Sequence, residues 1–214
     1  MNAHLTLAAA AAEWGRLSQL LAPDAQRLLG ERLAELRAAG TCAEPPANHA
    51  ARTLLDALPV DEAARLGQRV EAGRFTNTLP ATVHGGFAAA DLCMLVLDGN
   101  PMVGPVLGPI RERLLSEPAL TETYDADPRL ITLSGKDGRK QIPLFQFEAG
   151  TMPWPIVLEI NSLLRADTDP WGTADWWLAP TTWWDGTPAS VLGRDRDQEL
   201  LGAARSLLVQ EEDS

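Results

Sequence analysis

The tryptophan residues of this chain are placed very unevenly, and this limits how it can fold. Six of the seven tryptophans lie within residues 154–184, whereas no aromatic residue occurs between Trp14 and Phe75. An aromatic-poor segment must build its core from Ala and Leu, while a segment with six indoles has more aromatic surface than a small core easily hides. The two compositions indicate separate domains.

The charge follows the same division. Residues 1–75 carry eight basic and nine acidic side chains (net −1), residues 76–140 carry six and eight (net −2), and residues 141–214 carry four and twelve (net −8). The overall charge of −11 argues against a broad phosphate-binding face. We expect a helical N-terminal region over 1–75, a helical and hairpin middle region over 76–140, and a Trp-rich acidic helical domain over 141–214.

The N-terminal region is predicted to be a helical bundle. After a first helix, Asp24 is expected to cap a second helix that Gly40 ends, and Pro46 to open a third. Pro59 to Glu62 start a fourth. The fold class is therefore predicted as mainly α. Because short Ala/Leu helices carry more apolar stripe than they can bury alone, we expect a homo-oligomer.

The middle region combines two weaker patterns. An apolar run over 88–97 and a short helix over 110–115 flank a glycine turn, as in a degenerate helix-turn-helix, with Arg111 and Arg113 as possible DNA contacts. Two β-prone runs around Asp137-Gly138 then predict a small β-hairpin near 129–147.

No catalytic or metal-binding pattern is present in the sequence. Cys42 and Cys93 form no CxxC pair, and the three histidines lack metal-ligand spacing, so we expect no cofactor, no metal and no enzymatic activity. A pocket near His84 is kept as the enzyme alternative. The absence of 18 consecutive uncharged apolar residues predicts no membrane span, and the chain is expected to be cytoplasmic.

Residues 142–208 carry an ordered set of short motifs: a Pro-aromatic-Gln-Phe entry, an Asp-Pro-Trp helix ending in Trp-Leu, a Gly-Thr-Pro turn and a closing Ala-rich helix. The residues that carry them are Pro143, Phe145, Gln146, Phe147, Pro170, Trp171, Trp177, Leu178, Pro180, Gly186, Thr187, Pro188, Leu192, Ala203, Ala204 and Arg205. This third of the chain resembles the toxin-binding domain of the bacterial Xre/MbcA/ParS antitoxins.

The resemblance implies a non-enzymatic antitoxin that binds a RES-type, NAD-degrading toxin enzyme and blocks its active site. Trp is favoured at binding hot spots, and we expect one or more of Trp176, Trp183 and Trp184 to be exposed for a partner. Asp185 and Arg194 complete the predicted partner-binding set. The alternative is a transcriptional regulator or adaptor of the same ancestry with weak or no DNA binding. Such antitoxins usually carry a DNA-binding helix-turn-helix before this domain, and this sequence contains no convincing one.

Overall fold

The protein is mainly α-helical, as the sequence predicts. Its computed structural model describes residues 2–76, 82–121, 127–149 and 152–212. Ten α-helices and seven short β-strands lie within these ranges. None of the helices in these ranges combines the length and the hydrophobicity that a membrane span requires.

The chain divides into two compact units. The first comprises Met1–Pro109 with Lys136–Gly138, and the second comprises Ile110–Gly135 with Arg139–Ser214. The sequence composition instead predicts boundaries at residues 75 and 140. The observed boundary lies later than residue 75 because the apolar helix that begins at Ala89 packs against two helices of the N-terminal region and so belongs to the first unit.

The first unit contains six helices and a two-stranded sheet. These elements are α1 (Ala3–Ala12), α2 (Trp14–Leu17), a 3-10 turn (Ser18–Leu20), α3 (Pro23–Ala38), α4 (Glu44–Ala57), α5 (Val60–Thr76), β1 (Val83–His84), β2 (Phe87–Ala88) and α6 (Ala89–Leu97). The boundary between the two units lies within a seventh helix, α7 (Gly104–Leu115).

Helix α1 is the centre of the first unit. It begins where the Asn2 side-chain oxygen accepts a hydrogen bond from the Leu5 amide at 3.1 Å. Every residue from Ala3 to Ala11 is buried, and the helix packs against α4, α5 and α6. A helix that is apolar on all sides belongs in a core, and its alanines let neighbouring helices approach closely. In this unit, small alanine side chains rather than aromatic rings therefore let the helices pack closely.

Helices α3 and α4 begin slightly earlier than the sequence predicts. Pro23 opens α3 and Ala22 is its N-cap, so the prediction that Asp24 caps this helix is wrong. Asp24 lies in the first turn, where its carboxylate still interacts favourably with the positive end of the helix dipole. Helix α4 starts at Glu44 rather than at Pro46. Proline is compatible with the first turn because the amide it lacks has no partner there.

Helices α3 and α6 are joined by a bidentate ion pair and a buried thiol. The two guanidinium nitrogens Nη1 and Nη2 of Arg37 donate to the Asp98 carboxylate at 2.9 and 2.6 Å. Cys93 is fully buried, and its Sγ lies 3.7 Å from the Leu33 carbonyl oxygen. Burial raises the pKa of the Cys93 thiol to about 11, so at neutral pH it is a neutral core side chain.

His84 lies in a tight hairpin. Strands β1 and β2 are antiparallel, and Gly85 and Gly86 between them have φ values of 57° and 84°. Two consecutive positive φ angles suit the two-residue turns of β-hairpins, and glycine adopts them without strain. A Cβ on Gly86 would also lie 2.7 Å from the Cβ of Pro105. The two glycines next to His84 are thus explained by the turn.

The second unit contains two small sheets, one of three strands and one of two, together with helices. Its elements are β3 (Ala119–Thr121), β4 (Leu133–Ser134), β5 (Lys140–Pro143), a 3-10 turn (Leu144–Gln146), β6 (Phe147–Glu148), β7 (Met152–Pro153), α8 (Pro155–Leu163), α9 (Pro170–Leu178), a 3-10 turn (Pro188–Val191) and α10 (Asp197–Glu212). Strand β5 is central between antiparallel β3 and β4, β6 pairs with β7, and α10 packs against α8.

A buried polar network connects the sheet region to α8 and α9. The Trp177 indole N–H donates to Asn161 Oδ1 at 2.9 Å, and Asn161 Nδ2 donates to Gln146 Oε1 at 3.0 Å and to the Arg129 carbonyl at 2.9 Å. Gln146 in turn exchanges two hydrogen bonds with the Ile131 backbone, at 2.8 and 3.0 Å. Trp177, Asn161 and Gln146 are each 0% exposed. Buried polar groups that are satisfied in this way fix one arrangement of their segments.

Asn161→Leu is expected to lower the free energy of unfolding by about 1–3 kcal/mol, because it leaves the buried Trp177 indole N–H without a partner. Ser162→Ala, which removes an exposed hydroxyl from the same helix, is the matched control and should change stability by less than about 0.5 kcal/mol. Urea unfolding followed by tryptophan fluorescence measures both. Equal midpoints for the two variants would contradict this role of the network.

Candidate partner-binding surface

A groove lined by tryptophan lies on the second unit, between α9, the loop that follows it and α10. Two concavities of about 430 and 390 Å³ share three lining residues, Trp176, Thr181 and Leu207. Together they form what we call the tryptophan groove, whose central residues are Trp176, Thr181, Trp183, Trp184, Ala203 and Leu207. A concave, mostly apolar surface with a few polar groups is the usual form of a binding site.

Helix α9 supplies one wall of the groove. Its N-terminus is capped by Asp169, whose Oδ1 accepts from the Gly172 amide at 2.9 Å, and Pro170 occupies the first turn. Asp169 and Pro170 are the first two residues of the Asp-Pro-Trp motif described above. Because side chains recur every 3.6 residues, Trp177 faces the core while its neighbour Trp176 is half-buried at the groove.

Trp176 is supported by the buried network beneath it. Its ring meets Trp177 edge-on, with centroids 4.9 Å apart and an interplanar angle of 79°. This is a favourable aromatic geometry. Because Trp177 is fixed by its hydrogen bond to Asn161, the groove wall at Trp176 rests on a rigid base.

The loop after α9 presents the second wall. Thr181 N donates to the Gly186 carbonyl at 2.9 Å, which closes the loop, and the Thr181 hydroxyl accepts from Trp183 N at 3.3 Å. Trp183 is 62% exposed whereas Trp184 is 5% exposed. The closed loop thus separates two adjacent indoles into a surface side chain and an anchor.

Trp184 anchors the loop inside the unit. Its ring lies 6.1 Å from that of Trp183, at an angle of 62°. The guanidinium of Arg196, the residue before α10, lowers the pKa of Glu199 on α10, and a hydrogen bond from the Trp184 side chain lowers it further. The carboxylate therefore stays ionised and available to the indole N–H across the ordinary pH range.

The expected exposure of at least one of the three tryptophans is met by Trp183, whereas Trp176 is half-buried and Trp184 is buried. Whether any of the three binds a partner stays a prediction. Asp185 and Arg194 are both exposed, and neither lines the two concavities. Their assignment to the partner-binding set also stays a prediction.

The geometry does not favour the predicted DNA contacts. Arg111 is 2% exposed and forms an ion pair with Glu112 at 2.8 Å, so its guanidinium is not presented to a phosphate. Arg113 is half-exposed, but it pairs with Asp175 and donates to the Leu178 carbonyl at 3.2 Å. The charge of Arg113 is therefore already balanced by a carboxylate of the same unit.

Leu207 is a groove residue that sequence patterning misses. It lies seven residues after Leu200, so helical periodicity assigns both to one buried stripe. Leu200 is indeed 0% exposed, but Leu207 is 37% exposed because no described element covers the end of α10 beside Trp176. Periodicity predicts which face of a helix is buried, but it does not predict at which residue the elements that cover this face end.

Within the described residues, no group of three or more His, Cys, Asp or Glu side chains is placed to hold a metal ion. The chain matches no protein-family model, no curated protein and no solved structure.

Trp184→Ala is expected to lower the free energy of unfolding by about 3–5 kcal/mol, since it empties a buried indole site. Trp183→Ala should lower it by less than about 1 kcal/mol, because that ring is mostly in water. Thermal and urea unfolding of the two variants make the comparison. Equal losses would contradict the division into an anchor and a surface residue.

Proposed function

We propose that this protein is antitoxin-like and that it binds and neutralises a partner toxin enzyme of the RES type through the tryptophan groove. The observation that carries the proposal is a large exposed indole, Trp183, held on a closed loop beside two further apolar groove residues, Trp176 and Leu207. Large exposed apolar clusters on a rigid frame are typical of protein interaction sites.

The charge of this part of the chain supports a protein partner with a basic surface. Residues 141–214 carry twelve acidic and four basic side chains. Such an excess speeds encounter with a cationic surface and disfavours nucleic acid. A stoichiometric complex would neutralise the enzyme by covering the mouth of its active site, which requires no chemistry from this chain. The proposal includes a cytoplasmic location and self-association through the first unit, both as the sequence predicts.

The proposal is tested by purifying the tagged full-length chain from its native cells and identifying what elutes in equal amount. We expect an enzyme of the RES type whose consumption of NAD is suppressed in the complex and returns when the chain is removed. Trp183→Ala should weaken the complex about 30-fold or more, the effect of losing a hot-spot indole.

Met152→Ala is the matched control for this experiment. Met152 is 70% exposed, lies in the same unit and lines neither concavity, so its removal should leave the complex unchanged. Two results would contradict the proposal: elution without such an enzyme, or equal weakening by the two variants. Recovery of DNA instead of an enzyme would favour the regulator alternative.

A further inference from the structure

We propose that the concavity among Trp176, Trp183 and Trp184 receives an arginine side chain of the partner. This inference rests on the proposed function and deepens it by naming the group that the groove recognises. Three indoles line this one concavity of about 390 Å³. The face of an indole carries a negative potential, and among aromatic side chains Trp attracts a cation most strongly.

The arrangement of the rings suits a cation better than an aliphatic side chain. Trp183 and Trp184 meet at 62° with centroids 6.1 Å apart, so their faces are not stacked on each other. The ring that the concavity presents is mainly that of Trp183, which is 62% exposed, whereas Trp184 is 5% exposed. A planar guanidinium can lie along one indole face while its edge points toward another.

The remaining lining offers acceptors and no competing cation. Thr181, Thr182 and Ser206 contribute hydroxyl groups, and no Lys or Arg is among the residues lining this concavity in the described part of the chain. A guanidinium has five N–H donors and needs several acceptors when it leaves water. An ammonium group has three donors and is more strongly hydrated, which favours arginine over lysine.

The surrounding charge has the complementary sign. Asp185 directly follows Trp184, is exposed, and forms no ion pair with any described residue. Asp169 and Asp175 line the adjoining concavity. Because Arg113 pairs with Asp175, the negative charge beside the groove comes from Asp169 and Asp185. The wider acidic excess of the unit adds a long-range attraction for cations.

The test is an NMR titration of the full-length protein with its indole N–H groups as probes, and it needs no toxin. The seven tryptophans give seven such signals, which Trp→Phe variants assign. The ligands are Nα-acetyl-argininamide, its neutral isostere Nα-acetyl-citrullinamide, and Nα-acetyl-lysinamide. We expect saturable shifts at Trp183, Trp184 and Trp176, with Trp14 in the first unit as the internal reference.

The neutral citrulline compound should bind about tenfold more weakly than the arginine compound, because it lacks the charge that the indole faces attract. Lysine should also bind more weakly than arginine. Trp183→Ala should abolish the saturable shift, whereas Met152→Ala should retain it.

Three results would overturn the inference: no saturable shift at these indoles, equal binding of the citrulline and arginine compounds, or tighter binding of lysine. None of them bears on whether the enzyme complex forms, since that is measured by co-purification. If Trp183→Ala weakens the enzyme complex but the groove binds none of the cationic compounds, the proposed function stands and only the inference of an arginine ligand is contradicted.

Discussion

The second unit depends on one chain of buried hydrogen bonds, from the Trp177 indole through the Asn161 amide to Gln146 and the Ile131 backbone. These groups come from four separate segments of sequence, and each is satisfied without water. Because an unpaired polar group in a core is strongly unfavourable, the network allows one mutual placement of α8, α9 and the sheet region. The small sheets could not impose this order alone.

The proposed binding surface is built outward from that network. Trp177 is fixed by its hydrogen bond, Trp176 rests edge-on against it, and the loop closed by Thr181 and Gly186 brings Trp183 to the same groove. A rigid aromatic side chain loses little entropy on binding, and a fixed base reduces that loss further. The cluster of tryptophans therefore serves two purposes, with the buried members holding the exposed one in place.

The sequence predicts the helices well and the surface only in part. Prolines and caps indicate the starts of α3, α4 and α9 to within a few residues, since they act through local backbone geometry. Exposure at Trp183 and burial at Trp184 could not be separated, because the two residues are adjacent and a loop closed by tertiary contacts decides between them. Arg111 likewise looks like a surface cation in sequence, and its burial depends on how α7 packs.

Hydrogen–deuterium exchange of the chain, alone and with the proposed enzyme partner, tests most directly whether the tryptophan groove is the binding surface. The account predicts slower exchange in the complex at residues 176–187 and 203–208, the segments that form the groove, with the first unit unchanged. Slower exchange confined to helices of the first unit, with the groove segments unaffected, would contradict it.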